Sequence, residues 1–143
     1  MTVKAILSSK GRDVVTIEPT ATLATAVGVL AARRIGALIV LGADRRVIGI
    51  VSERDVVRAI SEHGEGALNE PLAEAMTRAV ITCGENDTIS ALMERMTTGK
   101  FRHLPVIEQE RLVGVVSIGD VVKHRLTEME RESEALRDYI QTA

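Results

Sequence analysis

Nine residues near the middle of this chain return in its second half. Gly49-Ile50-Val51-Ser52-Glu53-Arg54-Asp55-Val56-Val57 reappears as Gly114-Val115-Val116-Ser117-Ile118-Gly119-Asp120-Val121-Val122, an offset of 65 residues between Asp55 and Asp120. An internal repeat constrains architecture strongly, because each copy reads as one supersecondary unit. The correspondence extends upstream. Val15-Thr16-Ile17 matches Ile81-Thr82-Cys83, Thr22-Leu23 matches Thr88-Ile89, and Ile35 to Val40 matches Phe101 to Val106.

Each copy reads as the same series of elements. A short apolar strand comes first, Val14 to Ile17 or Val80 to Cys83. A polar turn then ends at Thr22 or Thr88, hydroxyl residues suited to capping a helix start. Leu23, Ala26, Val27, Leu30 and Ala31 follow at helical spacing, as do Ile89, Leu92, Met93 and Met96. Two β-branched apolar runs come next, Ala37 to Leu41 and Val47 to Val51, joined by Gly42 to Arg46. Their length and turn residues predict a hairpin. The second copy has Leu104 to Ile107 and Leu112 to Val116 around Glu108 to Arg111. A closing helix starts near Arg54 or Gly119. The predicted class is therefore α/β, of the α+β type, built from tandem β-α-β-β-α repeats.

A short helical lead-in precedes each copy, Val3 to Leu7 and Pro71 to Met76. The first copy spans 1–62, a glycine-containing linker 63–70, the second copy 71–126, and a C-terminal helix 127–143. After Lys123 the chain is highly charged, and Leu126, Met129, Ser133, Leu136 and Ile140 form a heptad-like stripe. About two heptads are too few for an independent coiled coil, so this helix is expected to pack on its own module or on a partner subunit.

Composition narrows the function. Aromatic residues make up 1 % of the chain, so the stacking platforms used on single-stranded nucleic acid are lacking. The net charge is −2 with no basic tail, which disfavours phosphate backbones as partners. No apolar run reaches the roughly 18 residues of a membrane span, and the first residues lack a signal-peptide pattern. The single cysteine, Cys83, suits a reducing, cytoplasmic setting. His63, His103 and His124 form no metal-ligand spacing with it, and no Ser-His-Asp or Cys-His set recommends itself, so neither a metal nor a catalytic cofactor is expected.

The doubled Gly-apolar-Val-Ser-x-x-Asp motif resembles the CBS-domain family. So do the Leu104-Pro105-Val106 run, the Pro19/Thr22 strand-to-helix turn and the Met76-Thr77 lead-in. The resemblance covers about residues 1 to 126, and the whole chain is similar to small bacterial proteins that consist only of a CBS pair (a Bateman module). It implies a pseudo-twofold pair with two facing three-stranded sheets and outer helices. It also implies clefts for adenosyl ligands (AMP, ADP, ATP, NAD(H) or S-adenosylmethionine) and a dimer of pairs.

Physical chemistry supports a site at the motif. An aspartate at a helix start, just after a strand, can accept two charge-assisted hydrogen bonds from a ribose diol. Asp55 and Asp120 stand there. Ser52 and Ser117, where strand gives way to helix, can offer hydroxyl and N–H groups to a phosphate. Gly119 permits close backbone approach. The plainer alternative is that Ser and Asp only cap the helix. By resemblance, Thr16 and Thr82 contact adenine or ribose, and Arg102 and His103 face phosphates. Ala37 and Val15, with Ile81 and Leu104, would form an aliphatic slot for the base. The first copy has Gly36-Ala37 where the second has Arg102-His103, so Lys10 or Arg54 would have to supply its cation. The chain is thus expected to be a non-enzymatic sensor that binds AMP, ATP, ADP or NAD(H) and acts through homodimer or partner geometry. The alternative is a ligand-free dimeric scaffold.

Overall fold

The computed structural model describes residues 1–142. Five α-helices and five strands follow the predicted order. They are α1 (Val3–Lys10), β1 (Thr16–Ile17), α2 (Leu23–Arg33), β2 (Ala37–Leu41), β3 (Val47–Ser52), α3 (Glu53–His63), α4 (Ile89–Gly99), β4 (His103–Glu108), β5 (Arg111–Ser117) and α5 (Ile118–Thr142). Short 3-10 turns at Gly64–Asn69 and Leu72–Glu74 carry the linker and the second lead-in. The mixed α/β class is as predicted.

The expected capping threonines both act. Thr22 accepts the Thr25 N–H at 3.2 Å, and Thr88 accepts the Ala91 N–H at 3.1 Å. Each satisfies a backbone donor that the first helical turn leaves orphaned. The buried spines are narrower than the apolar patterns. Leu23, Ala26 and Leu30 are buried on α2, and Ile89, Leu92 and Met96 on α4, while Ala31 and Met93 are exposed.

In the first repeat β1 runs parallel to β2, with Thr16 opposite Ile39, and β2 runs antiparallel to β3, with Ala37 opposite Ser52. The second repeat falls short of three full strands. Its β4–β5 ladder has two strands, and the expected strand at Val80 to Cys83 supplies only a parallel bridge, Cys83 to Val106. The Val80 N–H is committed at 2.9 Å to the Arg78 carbonyl, a tight turn that holds the chain out of the ladder until Cys83.

The compact units do not follow the order of the repeats. One contains Asp13–Ile81 with Glu108–Val113. The other contains Met1–Arg12, Thr82–Ile107 and the chain from Gly114 onward. Each lead-in is therefore housed with the opposite repeat. Thr2, before α1, bridges Thr88 at the start of α4, whereas Pro71, before the second lead-in, bridges Thr22 at the start of α2. Leu7 and Met76 occupy equivalent places over the motif strands. A Cβ added at Gly114 would stand 2.7 Å from the Leu7 Cδ2, and one at Gly49 would stand 2.6 Å from the Met76 Sδ. The motif glycines are thus fixed by close approach of the lead-ins, the helix α1 over Gly114 and the bend after the 3-10 turn over Gly49.

Both units have aliphatic cores. Leu23, Leu38, Val40, Val51, Leu72 and Met76 anchor the first, and Ile6, Leu7, Leu92, Leu104, Val106, Val116 and Val121 the second. The helix α5 runs unbroken through the expected boundary at 126/127. No Gly or Pro interrupts it after Gly119, and Glu, Arg, Leu, Met and Ala are strong helix formers. Residue 143 of the expected C-terminal helix lies outside the described residues.

Candidate ligand-binding site

Both motifs form strand-to-helix turns, yet their acids differ in state. At the first, Ser52 ends β3 and Asp55 lies in the first turn of α3. Ser52 Oγ accepts the Asp55 N–H at 3.3 Å, and Asp55 Oδ2 accepts the Ser52 N–H at 2.9 Å, a reciprocal capping box. The Ser52 hydroxyl also donates to Oδ2 at 3.0 Å. On the other oxygen, Thr77 Oγ1 donates at 3.0 Å and the Arg58 guanidinium forms an ion pair. Asp55 is 3 % exposed, the one charged residue in the buried core among the described residues. A cleft of about 460 Å³ opens beside it, bordered by Arg58, Glu62, His63, Glu70, Thr77 and Arg78. Its size suits a small ligand. The carboxylate itself is already enclosed by protein donors.

At the second motif the acid is more open. Asp120 Oδ2 accepts the Ser117 N–H at 2.9 Å, and Ser117 Oγ accepts the Asp120 N–H at 3.2 Å. Its other partner is Lys10 at the end of α1, with the ammonium 2.6 Å from Oδ2 and 3.0 Å from the Val115 carbonyl. The Asp120 side chain is 22 % exposed. Ser117 is half-buried beside it, and Gly119 is exposed. Burial pushes the Asp120 carboxyl up, but hydrogen bonds from Lys10 and the Ser117 N–H outweigh it and hold the acid below its ordinary range.

A pH dependence follows. The folded-state value lies below the unfolded one, so the ionised acid adds stability above roughly pH 3.9, and this is lost as pH falls through the lowered value. The Lys10→Met variant is expected to shift the Asp120 titration upward, read by carbon-detected NMR of its carboxyl. Its stability deficit against the parent should narrow in acid. An unmoved titration would show that Lys10 is not the controlling partner.

The other expected site residues are distributed between the units. With Ser52 and Asp55 belong Thr16, exposed on β1, Ala37, half-buried opposite Ser52, and Arg54, exposed on α3. With Ser117 and Asp120 belong Lys10, Thr82, Arg102 and His103. The exposed Arg102 presents its carbonyl to the Ile118 N–H at 2.8 Å, and His103 opens β4 half-buried. Thr82 is exposed. Of the aliphatic slot, Leu104 has no accessible surface and belongs to a core, whereas Ile81 is exposed.

Two features escaped the sequence pattern. Lys10 serves the second motif, not the first, because α1 is housed with the second repeat. Thr77 and Arg58 complete the Asp55 cluster. The alignment of lead-ins held a signal for Thr77, since it follows Met76 as Ser8 follows Leu7. Arg58, one turn beyond Asp55 on a helix, is an ordinary i, i+3 partner.

Comparison with known proteins accords with this geometry. The CBS domain model matches twice, at residues 3–62 and 72–127. A CBS-domain protein from Agrobacterium tumefaciens is 49 % identical, with a TM-score of 0.85 over 87 % of this chain and 99 % of that one. A CBS domain protein from Pyrobaculum aerophilum, solved complexed with AMP, is 29 % identical, with a TM-score of 0.75 over 84 % of this chain and 89 % of its own. A mitochondrial CBS domain-containing protein of Arabidopsis thaliana is 34 % identical over 124 residues, 84 % of this chain, which spans 60 % of that relative's length. With two domain matches covering most of its length, and the doubled motif set at both strand-to-helix turns, the chain belongs to the CBS-domain family as a tandem pair.

Proposed function

We propose that this CBS pair is a regulatory module that binds an adenine nucleotide, AMP foremost with ADP, ATP and NAD(H) as competitors. It acts by changing homodimer or partner geometry in a reducing cytoplasm and catalyses no reaction itself. The observation that carries the reading is Asp120, a partly exposed carboxylate at a helix start with Ser117, Gly119 and the Lys10 ammonium beside it. In this reading Asp120 takes the ribose diol. Ser117, Lys10, Arg102 and His103 meet the phosphate, and Thr82 contacts the nucleoside. Thr16, Ala37, Ser52, Arg54 and Asp55 serve the first motif. The AMP complex of the Pyrobaculum relative supports the ligand class.

Calorimetry with each nucleotide tests this. Micromolar to submillimolar binding of AMP is expected, weakened about 10- to 100-fold by Asp120→Asn, as befits loss of a charge-assisted pair of hydrogen bonds. Absence of heat and of any thermal shift with every adenine compound would refute it.

The enclosure of Asp55 favours a second reading for the first motif alone. There the carboxylate is a structural knot, and the scaffold role fits that end of the pair. Retention of full affinity in an Asp55 variant that remains folded would support this division.

A further inference from the structure

The contacts of Asp120 are one-sided. Its Oδ2 accepts the Ser117 N–H at 2.9 Å and the Lys10 ammonium at 2.6 Å. A carboxylate oxygen offers about two lone-pair sites, so these donors fill it. A ribose diol bound through both hydroxyls asks for one site on each oxygen. One of the two resident donors must therefore leave before the diol can seat. The Ser117 N–H belongs to the backbone where β5 turns into α5. Lys10 reaches in on a four-carbon stem from the last residue of α1, and its side chain is 32 % exposed. The lysine is the donor that yields.

Its departure leaves a charge behind. Lys10 keeps the Val115 carbonyl, 3.0 Å away, but gives up the carboxylate. That ion pair helps to hold the acid below its ordinary range against the pull of burial. An ammonium stripped of its carboxylate in a partly enclosed site calls for another anion. A ligand that carries a phosphate on the same molecule as the diol supplies one, and an uncharged nucleoside does not. The first motif offers no such exchange. Asp55 Oδ2 takes the Ser52 N–H and hydroxyl, and Oδ1 takes Thr77 and Arg58, so a donor would have to leave each oxygen.

We propose that Lys10 is a latch on Asp120. In the free protein it occupies the oxygen that the ribose needs, and it opens only for a ligand that offers its ammonium an anion in exchange. The site is thereby selective for 5′-phosphorylated adenosines, from AMP to NAD(H), over adenosine itself. This rests on the nucleotide reading of the second motif and adds a second role for the lysine there. Lys10 competes with every nucleoside and becomes a partner of the phosphorylated ones. A lysine that only met the phosphate would leave adenosine affinity untouched.

Calorimetry with adenosine and with AMP on the full chain separates the two roles. The Lys10→Met variant removes the competitor, so adenosine should bind about tenfold tighter than to the parent. That is the lower end for a hydrogen bond to a charged group, because Lys10 is partly exposed. AMP loses a partner and a competitor together, so its preference over adenosine should narrow. Lys10→Arg, which keeps a cation there, should hold adenosine at the parent's weak affinity. Adding Asp120→Asn to Lys10→Met should erase the gain, since the gain runs through that carboxylate. Circular dichroism checks folding, and Lys10→Gln repeats the test should the methionine variant not fold. AMP binding that weakens in Lys10→Met with adenosine unmoved would overturn the latch and leave the nucleotide reading in place. So would a parent that does not prefer AMP to adenosine. Absence of binding by either compound to any of these chains would refute the nucleotide reading, and the latch with it.

Discussion

Shortening Leu7 to Ala is expected to lower the unfolding free energy by about 2–5 kcal/mol, the range for emptying a fully buried leucine site. Leu7 is 1 % exposed, and its side chain lies where a Cβ on Gly114 would fall. The Gly114→Ala substitution alone should cost about 1–3 kcal/mol, because its methyl group would stand 2.7 Å from the Leu7 Cδ2 in a packed core. The double variant should cost less than the sum by roughly 1 kcal/mol or more, since the space left by Leu7 receives the new methyl. Urea unfolding of the four species, fitted with a common slope, measures the cycle. Strict additivity would mean that α1 does not cover β5, and would undo the exchange of lead-ins.

The second large effect is at Asp55. Removing its carboxylate breaks the capping box and deprives both the Thr77 hydroxyl and the Arg58 guanidinium of their acceptor. Loss of a helix cap together with buried hydrogen bonds to a charged group sets the cost of Asp55→Ala at about 2–4 kcal/mol. Asp120→Ala should cost only about 1 kcal/mol, because its cap is lost while Lys10, already partly exposed, returns to water. Thermal unfolding resolves the difference. Equal penalties at the two positions would contradict the unequal environments of the acids. The contrast also separates folding from recognition: Asp55 variants should act on stability and Asp120 variants on nucleotide affinity.

Much of the fold was legible because local chemistry and the repeat agreed. The β2 bounds match the apolar run at Ala37 to Leu41, and Thr22 and Thr88 both cap helices. The reading failed where a long-range partner decided the outcome. Val80 and Ile81 have strand composition, but a turn at Arg78 withdraws them from the ladder. Nor did the pattern warn that Lys10 would join Asp120, because Gly36-Ala37 left the first copy without the charge of Arg102-His103 and made that copy the expected user of the cation. The site chemistry was legible as residue types at a strand-to-helix junction. What was not legible was how far each acid is enclosed, since this depends on partners from the lead-ins, Lys10 reaching Asp120 across 110 residues of chain and Thr77 reaching Asp55 across 22.

The crossed housing of the lead-ins bears on how such a molecule could arise. A polypeptide with one repeat would carry its lead-in helix away from the strand that it must cover. Its Gly49-type strand would then stay open until a second copy supplied the missing helix. Two such chains, trading lead-ins, would close both gaps at once, as in a domain-swapped homodimer. Duplication with fusion would turn that trade into an intramolecular one without redesigning either core. The three residues that separate the offset of 66 at Thr22 and Thr88 from the offset of 69 at Leu7 and Met76 lie on the connection leaving α1. Lys10, the last residue of α1, stands where that connection begins, so Asp120 takes its cation from a lead-in, whereas Asp55 takes Arg58 from its own helix. In such a lineage, the difference between the surroundings of the two acids begins in the joint that the swap left behind, not in the repeated motif.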